Sequence, residues 1–139
     1  MDSLIPFLNA LDSFTNLQQA VLRSLEEDKK KATLICSLVG LSYNSIKLRY
    51  RNPLLWRINE IRLLANHYQL PTTAFTQFYS NLPLLITLLN GVSNSQRRQF
   101  SRMCGLKINQ LSNRLEMDWS VSDVLRLRQG LTQLVNNSQ

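Results

Sequence analysis

The sequence predicts an all-α protein made of two similar helical units, and three observations indicate this. Apolar residues recur every three or four positions through residues 4–25, which is the spacing of an amphipathic helix. Residues 32–51 then have the pattern of a short helix, a glycine turn and a second short helix, and residues 97–116 repeat it. The two central glycines, Gly40 and Gly105, occupy the same place in the two patterns, and a recurrence of this kind is the signature of an internal repeat.

Each glycine-centred unit has the residues that a tight corner between two helices requires. Glycine supplies the turn because it tolerates positive φ. Small residues, Cys36 and Ser101, stand four positions before the glycines, where the helices come closest. Apolar residues occupy the inward positions of both units: Ile35, Val39, Leu41 and Ile46 in the first, and Phe100, Cys104, Leu106 and Leu111 in the second.

At these residues the sequence resembles the Cro and lambda-repressor-like (XRE) family of helix-turn-helix domains. The resemblance implies two tandem domains of four to five helices each, packed together, with the third helix of each entering the DNA major groove. The expected domains are residues 1–70 and residues 74–135. The sequence departs from the family at the start of the second helix, where the family often has polar residues such as Gln. Ala32 and Thr33 stand there in the first unit, and Arg97 and Arg98 in the second.

A further helix is predicted after each unit. Asn59 and Ser122 are the expected N-caps, and Glu60 and Asp123 then lie in the first turn, where the helix dipole favours an acid.

Four other side chains near these helices have structural interpretations. Trp56 and Trp119 are predicted to fill the core. Arg49 and Arg114 are repeat equivalents, and we expect either ion pairs with Glu60 and Asp123 or contacts with DNA.

The amino-acid composition restricts the classes of function that the protein can have. The net charge is +7 and the pI about 9.9, which favours a polyanionic partner. The excess of positive charge is shared between the two halves of the chain. Residues 1–70 carry nine basic and six acidic residues, and residues 71–139 carry seven basic and three acidic residues. One histidine and four scattered glycines provide no metal cluster and no phosphate-cradling loop. We therefore expect no enzymatic activity, no cofactor and no metal.

The chain shows no signal-peptide pattern, and its longest apolar run, residues 82–89, is too short to cross a bilayer. A cytoplasmic protein that does not contact membranes is expected. Its two cysteines, Cys36 and Cys104, are predicted to be buried free thiols.

The predicted DNA-binding residues are polar or cationic and lie on or beside the two recognition helices, and Ser42 is also the predicted N-cap of the first recognition helix. Asn44 and Asn109 are equivalent in the repeat and are predicted to contact bases, because an Asn amide can bond an adenine edge bidentately. Glu116, where Arg51 stands in the first copy, would repel phosphate. The full predicted set is Ser42, Tyr43, Asn44, Lys47, Arg51, Arg97, Arg98, Lys107, Asn109, Ser112 and Asn113.

The predicted function is that of a transcriptional regulator. One chain would bind duplex DNA as a pseudo-dimer and repress by occlusion. The alternative is a helix-turn-helix-derived interaction or assembly module that contacts itself or another protein through an exposed apolar stripe on the N-terminal helix. Leu48 leaves both alternatives open, because an exposed leucine suits either a thymine methyl or a protein surface.

Overall fold

The computed structural model describes residues 4–27, 32–107, 111 and 119–137. Every regular element in these ranges is helical, which confirms the all-α class; the division into tandem domains stays a prediction. None of the helices described combines the length and apolar character needed to cross a membrane. The helices are α1 (Ile5–Glu27), α2 (Ala32–Val39), α3 (Tyr43–Arg51), a 3₁₀ helix (Pro53–Leu55), α4 (Ile58–His67), α5 (Thr73–Asn90), α6 (Asn94–Cys104) and α7 (Val121–Asn137).

The long helices α1 and α5 pack against each other and form the centre of one continuous core. The Phe14 ring contacts Phe75 edge-to-face, with centroids 5.3 Å apart, and lies 6.2 Å from the ring of Phe78. The apolar stripe of α1 is therefore buried inside the protein, and Ile5 is its one exposed large apolar residue. The expectation that α1 presents this stripe to a partner is wrong, because α5, α4 and α7 cover it.

Both glycine corners adopt the predicted conformation. Gly40 has φ +72° and Gly105 has φ +68°, in the left-handed region. The amide of each glycine donates to a carbonyl four residues earlier, at Cys36 and Ser101, over 2.8 Å. These bonds satisfy carbonyls at the helix ends that would otherwise lack a partner. The apolar positions around each corner face the core, and Ile46 and Phe100 are fully buried.

The predicted core tryptophans mark a reciprocal backbone contact between distant parts of the chain. The Ile58 amide donates to the Trp119 carbonyl over 2.9 Å, and the Val121 amide donates to the Trp56 carbonyl over 2.8 Å. The same offset in sequence relates Trp56 to Trp119 and Ile58 to Val121, and both indole side chains are buried, as predicted. The contact is a single antiparallel bridge that centres on Arg57 and Ser120.

Because of this bridge, both helices begin earlier than predicted, and the two predicted N-caps are wrong. α4 begins at Ile58 after Arg57, not after Asn59, and α7 begins at Val121, so Ser120 and not Ser122 is its cap. The Ser120 Oγ accepts a hydrogen bond from the Asp123 amide over 3.2 Å, and the Asp123 carboxylate accepts one from the Ser120 amide over 3.0 Å. The bridge holds the backbone extended at Arg57 and Ser120, and α4 and α7 each begin at the next residue.

α6 and α7 approach each other closely at Gly130. A Cβ atom built at this glycine lies 2.9 Å from two ring carbons of Phe100 and 3.3 Å from Cβ of Cys104. The absence of a side chain at residue 130 therefore allows α6 to pack closely against α7.

The left-handed corner predicts the effect of a Gly40→Ala substitution. No atom lies within 4 Å of a Cβ at this position, so the cost is the strain of an L-residue at positive φ. We expect the free energy of unfolding to fall by about 1–2 kcal/mol, measured by urea denaturation. Gly91→Ala is the matched control, because Gly91 ends α5 with φ −85° and its Cβ meets only ordinary contacts. Equal losses in the two variants would contradict a role for the left-handed conformation.

Candidate functional site

The candidate site is built on α3, which Ser42 caps and Ile46 anchors. The Ser42 Oγ accepts a hydrogen bond from the Ser45 amide over 3.2 Å, as its predicted capping position requires. Ile46 is fully buried and holds one face of α3 against the core. The predicted DNA-binding residues that the structure leaves exposed on α3 are Tyr43, Asn44, Lys47 and Arg51.

Two of these side chains contact each other. The Lys47 Nζ lies 4.8 Å from the centroid of the Tyr43 ring, within the range of a cation–π interaction. Tyr43 is 48% exposed, so both the ring and the ammonium group lie at the surface. The contact orders Lys47 along one flank of α3.

Arg49 is directed away from the outer face of α3 and pairs with Glu60 of α4. Its Nε donates to Oε1 of Glu60 over 2.8 Å and its Nη2 to Oε2 over 3.2 Å. The two side chains are only 12% and 4% exposed. The Arg57 amide also donates to Glu60 Oε1, over 2.9 Å. The predicted ion pair is confirmed for Arg49, which is thereby removed from the residues available to DNA.

In the second half, the structure separates the two adjacent arginines of α6. Arg97 is half-buried, and its Nη2 donates to the carbonyl of Asn90 at the end of α5. Arg97 therefore caps the end of α5, and we do not count it among the cations available to DNA. Arg98 is exposed on α6, and Lys107 is exposed just after the Gly105 corner. The other predicted residues of this half, Asn109, Ser112 and Asn113, lie outside the described residues, as do Arg114 and Glu116.

Acidic residues are almost absent from the stretch that holds both glycine corners. Between Asp28 and Glu116 the sequence contains a single carboxylate, Glu60. It is buried and paired with Arg49, so it presents no net negative charge at the surface. Counting charge by halves conceals this segregation, which a count along the chain would have revealed. The exposed cations of α3 and α6 are Lys47, Arg51, Arg98 and Arg102.

Apolar side chains are also concentrated around α3. Nine large apolar residues are exposed within the described ranges, and five of them fall between residues 43 and 55. Leu48, the most exposed of the five at 52%, lies on α3. Leu54 and Leu55 line a shallow groove of about 420 Å³ that extends to Ser120 and Arg126 at the start of α7. The surface around α3 is therefore both cationic and apolar.

The Cys104 thiol does not have the character of a reactive group, because it is buried. Both cysteines are free thiols, and Cys104 is buried as predicted, whereas Cys36 is only partly buried. Burial raises the pKa of the Cys104 thiol, and this outweighs the opposing effect of its hydrogen bond to the Leu106 carbonyl. In the part of the chain that the structure describes, no three His, Cys, Asp or Glu residues form a group that could hold a metal ion.

Comparisons of the chain with known protein families, with curated proteins and with solved structures give no match. The resemblance to lambda-repressor-like domains therefore stays a prediction. Function has to be argued from the geometry and charge of the site.

The Arg49–Glu60 pair predicts a large effect of a Glu60→Gln substitution. Glutamine keeps an oxygen for the Arg57 amide but removes the charge that faces Arg49. We expect the free energy of unfolding to fall by about 3 kcal/mol, because a largely buried guanidinium loses its counter-charge. Urea unfolding followed by circular dichroism measures the loss.

The matched control is Asp12→Asn, which breaks the ion pair between Asp12 of α1 and Arg128 of α7. These side chains are 48% and 45% exposed, so solvent screens their attraction. The expected loss is below about 1 kcal/mol. If the two substitutions cost the same, burial is not what makes the Glu60 pair important.

Proposed function

We propose that this protein binds duplex DNA through α3 and the glycine corner before it, and that it acts as a transcriptional regulator that represses by occlusion. One observation carries the proposal: the stretch from residue 29 to residue 115 has a single carboxylate, and Arg49 neutralises it. The exposed cations of α3 and α6 are therefore not offset by any exposed carboxylate within this stretch of the sequence. Exposed cations attract the phosphate backbone, and a short helix with an exposed polar face, such as α3, suits the major groove.

The reciprocal bridge supports a single-chain pseudo-dimer. In a twofold dimer, residue i of one subunit contacts residue j of the other, and residue j contacts residue i. Ile58 donates to Trp119 and Val121 donates to Trp56, which is a reciprocal arrangement of this kind. Ile58 and Val121 occupy equivalent positions in the repeat, and so do Trp56 and Trp119. One chain would then supply both DNA-binding units that a dimer provides with two subunits.

The proposed DNA site is asymmetric. In the first half the exposed face of α3 carries Asn44, Lys47 and Arg51. In the second half the equivalent sequence positions carry Asn109, Ser112 and Glu116. An acid in place of Arg51 weakens attraction to phosphate, so the second half would contribute less to affinity.

A second candidate function, a protein-interaction module, is favoured by the apolar residues around α3. Five exposed large apolar side chains within residues 43–55 exceed what phosphate binding requires. Sedimentation velocity of the wild type and of a Leu54→Ser, Leu55→Ser variant discriminates the two functions. Self-association that the variant loses, together with no duplex binding at low salt, would favour this second candidate.

The DNA proposal predicts steep salt dependence. Binding of the full chain to duplex DNA is measured by fluorescence anisotropy from low to high salt. If Lys47, Arg51, Arg98 and Lys107 each neutralise one phosphate, the slope of log affinity against log salt is about −3.6, since each contact contributes about −0.9. A flat slope, or no binding at low salt, would contradict the proposal.

Variants that each lack one positive charge identify the residues that contact phosphate groups. Arg51→Ala and Arg98→Ala should each make the slope shallower by about 1. Arg128→Ala is the charge-matched control, because Arg128 pairs with Asp12 between α7 and α1 and should leave the slope unchanged. A duplex RNA competitor tests structured RNA as the ligand, and stronger binding to RNA than to DNA would overturn the assignment.

A further inference from the structure

The outermost face of α3 is defined by its geometry around Ile46. Successive residues of an α-helix are rotated by about 100°, because one turn contains about 3.6 residues. Asn44, Leu48 and Arg51 consequently project within about 40° of the direction opposite the buried Ile46. All three are exposed. These side chains would reach deepest into a groove that receives α3.

The other polar side chains of α3 are engaged in contacts within the protein. Arg49 forms its paired hydrogen bonds with Glu60. Ser45 and the cap residue Ser42 bond each other through their hydroxyl groups, over 3.0 Å. Lys47 lies over the Tyr43 ring on the flank of the helix. The central positions of the outer face therefore belong to one amide, Asn44, and one aliphatic side chain, Leu48.

We propose that this pair makes α3 specific for an A·T-containing half-site, in which Asn44 binds adenine and Leu48 packs on the 5-methyl group of thymine. The inference rests on the proposed DNA binding and names the bases it recognises. An Asn amide matches the N6 donor and N7 acceptor of adenine, and the thymine methyl is the apolar group that the base edges offer in the major groove.

The spacing of the two residues sets the spacing of the two bases. Asn44 and Leu48 are four positions apart in the sequence, which is about 6 Å along the helix axis. The rise between base pairs is about 3.4 Å, so the two contacts fall roughly two base pairs apart when the helix follows the groove. A contact between Leu48 and a methyl group also accounts for a leucine that is 52% exposed on this face.

The proposal is tested by removing one methyl group from the DNA. Duplexes that the full chain binds are selected from a random pool, and each thymine of the best duplex is replaced in turn by deoxyuridine. At one thymine of the half-site the wild type should bind about fourfold more weakly, which corresponds to one buried methyl group. Leu48→Ala should bind the thymine and uracil duplexes equally.

Two further comparisons isolate the residues. Leu84→Ala is the matched control, since it truncates a leucine of similar exposure on α5 and should keep the fourfold preference. Replacing the contacted adenine by 7-deazaadenine removes the N7 acceptor, and Asn44→Ala should abolish the resulting loss of affinity. Thermal unfolding of both α3 variants at the wild-type temperature shows that the change lies in recognition and not in folding.

Each outcome decides the matter. If uracil has no effect at any position, or if Leu48→Ala keeps the full preference for thymine, recognition of the methyl group by Leu48 is overturned while DNA binding stands. If no duplex is enriched from the pool, the proposed function itself is overturned, and this inference with it.

Discussion

The carboxylate of Glu60 is the interaction on which the position of α3 depends. It accepts hydrogen bonds from the Arg49 guanidinium and from the Arg57 amide, so one side chain joins α3, the backbone bridge and the first turn of α4. The same contact buries the only negative charge between Asp28 and Glu116. A single acid thus helps to orient α3, the candidate DNA-binding helix, while its own charge is neutralised by Arg49.

The bridge between Arg57 and Ser120 sets the second constraint, because it fixes where α4 and α7 begin. Its two hydrogen bonds run between backbone groups that would otherwise be buried without partners beside the tryptophans. Trp119 also contacts the Phe78 ring of α5, with centroids 5.3 Å apart. Through this contact the bridge is continuous with the packing of α1 on α5, and the two ends of the chain share one core.

Local sequence patterns predicted local features well, and the features that were predicted wrongly or missed depend on contacts between distant residues. The glycine corners and the Ser42 cap depend on residues within a few positions of one another, so the sequence contains all the information they need. The caps predicted at Asn59 and Ser122 were wrong because the bridge joins positions that are far apart in the chain. The capping role of Arg97 was missed because its acceptor is on the preceding helix, at Asn90. Charge segregation, in contrast, is visible in the sequence.

Under the proposed duplication, a backbone contact explains how the two halves can differ without losing their geometry. The bridge uses the amides of Ile58 and Val121 and the carbonyls of Trp56 and Trp119, so it places no demand on the side chains of the residues between them. Arg57 and Ser120 accordingly occupy equivalent positions with different side chains, and each is followed three residues later by an acid that caps the next helix. A homodimer must present the same reading helix twice. A fused chain held together by its backbone is free to present two different helices, and its assembly does not depend on protein concentration.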